Sequence, residues 1–170
     1  MTSILKVSEI QDPTNGNTAM TVDTSGRVAM PNRIALTLGF ASTTGNYTAN
    51  VTSLGLTTCV PLDFVTQGGT NTGTHPNWSN TTHAFTAPVA GMYSVSVHGL
   101  WLTAASGEIR ITKNQNISNQ GRFYVENGRA VSGTVILQLA VNDVIQMSSN
   151  QNLYLDYDSV YSGMSIVFLG

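Results

Sequence analysis

One cysteine, two lysines and no long apolar run set the first limits on this 170-residue chain. Cys59 has no second thiol with which to form an intrachain disulfide, and a single core closes at this length without one. No apolar run approaches the roughly 18 residues of a membrane span. The opening stretch from Met1 to Glu9 lacks the apolar core of a signal peptide, which predicts synthesis in a cytoplasm and a soluble product. Seven basic and nine acidic side chains leave a net charge of −2. With only Lys6 and Lys113 as lysines and the arginines scattered, nothing gathers the basic cluster that nucleic-acid backbones require.

Catalytic signatures are missing too. The sequence has no G-x-S-x-G elbow, no H-E-x-x-H and no phosphate-binding glycine loop. His75 and His83 stand at no common zinc spacing, and His98 shares a strand face with Ser94 and Ser96. Cys59 precedes a strand with nothing to lower its pKa, which predicts a structural thiol. These absences predict a protein that is not an enzyme and carries no cofactor. Five Asn-x-Ser/Thr sequons, at Asn46, Asn50, Asn77, Asn80 and Asn116, follow from a composition rich in Asn, Ser and Thr. Without a secretion signal they do not predict glycosylation.

What is present is β-forming. Thr and other β-branched residues suit a pleated sheet, Asn, Gly and Ser suit turns, and no stretch carries a helical period. Residues 1–32 alternate in short pieces: Met20 and Val22, a turn at Asp23–Arg27, then Val28 and Met30. This predicts a hairpin with Gly26 at positive φ. So few large side chains make no independent core, so the segment must pair with copies of itself or dock on something larger. Residues 33–58 form a transition containing Ile34, Leu36 and Leu38. Residues 59–170 read as one antiparallel sandwich, with alternation at Tyr93, Val95, Val97 and Trp101, at Ile109 and Ile111, and at Val135, Leu137 and Leu139.

The last strand is apolar on both faces, with Met164, Ile166 and Phe168 opposite Val167 and Leu169. One face fills the core. The other needs a cover, either a second subunit or a loop of the same chain. Trp78 and His75 in a polar loop, with Tyr154, Tyr157 and Tyr161 near other loops, suit stacking on a sugar; Trp78 packed over the sandwich end is the alternative. Asp156 and Asp158 flank Tyr157 on one face of an extended segment. They make a weak Ca²⁺ candidate beside the commoner solvated turn.

Phe85-Thr86-Ala87-Pro88-Val89-Ala90-Gly91-Met92-Tyr93 resembles the F-x-x-P-x-x-G-x-Y segment of C1q-like domains. Ile109–Asn114 resembles their strand ending in Lys-Asn. Val135–Leu139 with Asn142-Asp143-Val144-Ile145 is similar to their L-x-L-x-x-x-D-x-[VI] stretch, and Tyr161-Ser162-Gly163 to their closing motif. The resemblance implies an all-β, C1q/TNF-like antiparallel jelly roll that assembles as a homotrimer, with Met164, Ile166, Val167, Phe168 and Leu169 at its interface. Some relatives of this type bind calcium in loops. Residues 4–28 resemble the start of many phage fibre and virion proteins. That implies attachment to a virion through Ile4, Leu5, Val7, Ile10, Met20, Val22 and Val28, and exposure on the virion surface. Two functions fit: a short fibre or spike tip binding a host glycan or protein, or a capsid decoration or head-fibre protein. A stand-alone lectin-like module is a third.

Overall fold

The computed structural model describes residues 9–11, 18–22, 24–29, 34–39, 45–48, 63–64, 75–155 and 162–170. Strands and turns, and no helix, make up these described residues. The chain divides into two compact units, Met1–Ile34 and Ala35–Gly170.

The smaller unit is a three-stranded antiparallel sheet of β1 (Glu9–Gln11), β2 (Thr18–Val22) and β3 (Val28–Ala29), in that order. Val22 faces Val28 across the expected hairpin, and Gly26 takes φ +77° in its turn. Ile10 pairs with Met20. Ile10 and Val28 remain about half exposed, as expected of a sheet too small to bury its own apolar side chains. Ile4, Leu5 and Val7 lie outside the described residues.

The larger unit begins with β4 (Ala35–Gly39), β5 (Gly45–Thr48) and β6 (Asp63–Phe64). The stretch read as a transition therefore supplies strands to this unit. β7 (Trp78–Ser79) and β8 (Ala84–Thr86) follow. β9 (Gly91–Lys113) and β10 (Asn116–Leu139) come next, then β11 (Val144–Ser149), β12 (Asn152–Leu155) and β13 (Gly163–Phe168). Alternation alone suggests separate strands near Val95 and Ile109. The structure joins them because Thr103–Gly107, though poor in apolar side chains, stays extended, with Ala105 and Gly107 paired to β10 across two register shifts.

β9 changes partners along its length. Its first half pairs with β13, which pairs with β4, while its second half pairs with β11, which pairs with β8. β10 follows β9 on the other side through both halves. The two halves stack as layers: Phe85 of β8 meets Tyr93 of β9 edge-on, with ring centroids 5.7 Å apart. A β-carbon on Gly99 would come within 2.8 Å of the Leu153 methyl and closer still to that of Ile109, so a side chain there would push both methyls aside. Tyr93, Val95, Ile109, Ile111, Ile145 and Ile166 are wholly buried between the layers.

Candidate functional site

Period-two alternation sorts each strand of the first layer into two faces. Leu36 and Leu38, Val95 and Val97, Leu137 and Leu139, and Met164 and Ile166 point into the core. The opposite face follows from register. Ala35, Val167, Ser94 and Ile136 form one cross-strand row, and Thr37, Ser165, Ser96 and Thr134 the next. Leu169 donates its backbone N–H to the carbonyl of Met92, extending the face, and Met92 pairs with Gln138. His98 lies between Gly163 and Ser132.

Among the described side chains at these positions there is no Asp, Glu, Lys or Arg, and His98 is the one titratable group. Ile136 and Leu169 are more than half exposed, and Met92 is 38% exposed. The hydroxyls of Ser96 and Thr134 bond each other at 2.8 Å. These two hydroxyls can leave water without losing their hydrogen bond, so covering them carries little polar cost. A face whose described side chains include no carboxylate, Lys or Arg, with internally paired hydroxyls and exposed aliphatic residues, suits burial against another protein surface.

The five interface residues expected from sequence separate here. Met164 and Ile166 are buried inside the chain itself, and the half-buried Phe168 ring meets Tyr93 at a tilt with centroids 5.0 Å apart. These three serve the core. Val167 and Leu169 remain on the open face. Sequence reasoning had not placed Ile136, Met92 or Ser94 there, because their membership depends on which strands neighbour β13.

The loop candidates fare differently. His75 and Trp78 close one turn, in which the Trp78 N–H donates to the His75 carbonyl at 3.0 Å. The His75 Nδ1 accepts from the Asn77 backbone N–H at 3.2 Å, and partial burial lowers the His75 pKa. Trp78, however, is only 7% exposed and pairs across to Phe85. It caps the core, and its ring offers no open stacking face. Tyr154 stands on β12 opposite Asn46. The side chain of Tyr154, together with Tyr157, Tyr161, Asp156, Asp158 and Cys59, lies outside the described residues. Among the described residues no group of three or more His, Cys, Asp or Glu gathers as a metal site.

Two polar clusters were not legible beforehand. Asp143 bonds the Asn114 side chain and the Ala140 N–H, both at 2.7 Å, and pairs with Lys113 at 2.6 Å. The Lys113 hydrogen bond foremost, with Asn114 and the Ala140 N–H, holds its pKa down at about 2 against the opposing effect of burial. This ties the turn between β10 and β11 to the end of β9. On the outer face of the second layer, Glu108 is buried and ion-paired to both Arg110 and Arg122.

Neither a family model nor a curated protein matches the sequence. Solved structures match the fold. The chain is similar to Eiger TNF from S. frugiperda, at 12% identity and TM-score 0.58 over 81% of this chain and 93% of that one. It is similar to murine APRIL, at 12% identity and TM-score 0.56 over 81% of this chain and all of that one. The globular domain of zebrafish complement 1qA matches at 14% identity and TM-score 0.50, over 81% and 97%. The larger unit is therefore an all-β, C1q/TNF-like antiparallel jelly roll.

Proposed function

We propose that this chain is a structural protein of a phage particle, a homotrimeric short fibre or spike tip that binds the host cell surface. The observation that carries the assembly part is the sheet face through Ser94, Ser96, Val167 and Ile136, whose described side chains include no Asp, Glu, Lys or Arg. A second copy is its occupant, because a net charge of only −2 per chain opposes self-association weakly. Three copies is the number that the C1q and TNF resemblance implies. The likeness of residues 4–28 to phage virion proteins supports attachment through the smaller unit, with the jelly roll as the displayed end. On this reading the protein binds and assembles and catalyses nothing, and it sits on the virion surface after synthesis in the host cytoplasm.

Capsid decoration is the second reading. The half-exposed Ile10 and Val28 of the smaller sheet favour it, since such a sheet suits docking on a repeating shell. Electron microscopy of purified virions carrying a density tag on this chain separates the two. Tag at the tail or its fibres supports host binding, and tag over the head replaces it with decoration. No tag on any particle overturns both.

A further inference from the structure

β10 carries Arg122 and Tyr124 on the outer face of the second layer, opposite Arg110 and Glu108 of β9. Two guanidinium groups directly across from each other repel. Glu108 resolves the conflict by pairing with both, and as a carboxylate on an outward face it is nonetheless only 2% exposed. Its backbone is fixed as well, because the Glu108 N–H donates to Asn150 Oδ1 at 2.7 Å.

The consequence is a fixed orientation for Arg122. Its Nε is spent on Glu108 while its side chain stays 67% exposed. A guanidinium held through Nε keeps its two terminal nitrogens for another partner, and a planar pair of N–H donors matches a carboxylate. Arg110 and Ser148 continue the same cross-strand row inward from Arg122, and both are covered, so Arg122 is the member of the row that meets solvent. Tyr124 is 58% exposed and follows Arg122 on the same face, about 6.8 Å along the strand. The electron-rich face of a phenol ring attracts the polarised C–H bonds of a pyranose.

We propose that Arg122 and Tyr124, held by the buried Glu108–Arg110 pair, form a binding site for a carboxylated saccharide, a uronate or sialate of a cell-surface glycan. Tyr124 stacks on the ring and Arg122 takes the carboxylate through two parallel hydrogen bonds. At the Arg122 end, Arg110 and Arg122 against Glu108 leave one positive charge, which places the ligand's carboxylate at that end and away from Glu126. Glu126, exposed further along β10, bounds it on the acidic side. The proposal rests on the host-surface reading above and names the ligand class for it.

The test is calorimetric titration of the full chain with oligogalacturonate and sialyllactose, with neutral maltohexaose and an acidic peptide as controls. A carboxylated sugar binds and the two controls do not. R122K, which keeps the charge and loses the fork, and Y124A each weaken binding about tenfold or more, while V141S does not. Binding of the peptide as tightly as the sugar overturns the saccharide assignment, and so does unchanged binding in R122K or silence with both acidic sugars. Cell binding by wild type that persists in the R122K/Y124A double variant overturns this site and leaves host recognition standing. Sugar binding by a protein that binds no host cell does the reverse.

Discussion

Phe123 and Gly133 face each other from the two halves of one long strand. A β-carbon on Gly133 would lie 2.7 Å from Phe123 Cγ and closer still to the ring edge. The ring occupies the place a side chain would take. Gly133→Ala therefore overpacks the interior and destabilises the fold by about 2 kcal/mol, read as a lower urea midpoint. An unchanged midpoint would mean that the ring moves aside freely.

Asp143 gives the fold an acid-sensitive lock. Its folded pKa of about 2 lies below its ordinary value. The stabilisation is therefore present above the unfolded pKa and is lost as pH falls from about 4 towards 2. Asp143→Asn lowers stability at neutral pH and flattens the acid dependence, so the two proteins converge near pH 2. Asp143→Ala orphans the Ala140 N–H and the Asn114 amide and costs roughly 1–3 kcal/mol at pH 7. Urea midpoints at pH 7, 4 and 2.5 check both statements.

Trp78 and Trp101 are both buried, at 7% and 1% exposure. The folded protein therefore emits at short wavelength and resists quenching by acrylamide, and saccharides leave the spectrum unchanged. Trp78→Ala costs about 3–5 kcal/mol in stability as the core loses its cap. Ready quenching in the native state would return Trp78 to the surface.

The core of the jelly roll was legible because alternation survives in any register: Tyr93, Val95 and Val97 point inward whichever strands lie beside them. The burial of Trp78 was not, because its Thr- and Asn-rich neighbours signal an exposed loop, and only the pairing to Phe85 shows where the ring goes. The open face was half legible. Val167 and Leu169 could be read from one strand, but Ile136 joins them through a β9–β10 register that no local pattern states. Glu108 was hidden for the same reason. Alternation sets it outward, and its burial follows from Arg110 and Arg122 arriving from two strands. One signal was available, since pairing these strands forces the two arginines together and calls for a carboxylate between them.

Self-association through the open face of the first layer is the central claim, and sedimentation equilibrium tests it most directly. Ile136 is 56% exposed, so Ile136→Asp leaves the single chain folded while placing a charge in the middle of the proposed contact. The account predicts three times the 18.1 kDa chain mass for wild type and the single-chain mass for Ile136→Asp, with unchanged circular dichroism. A monomeric wild type, or a variant that still forms trimers, would contradict it.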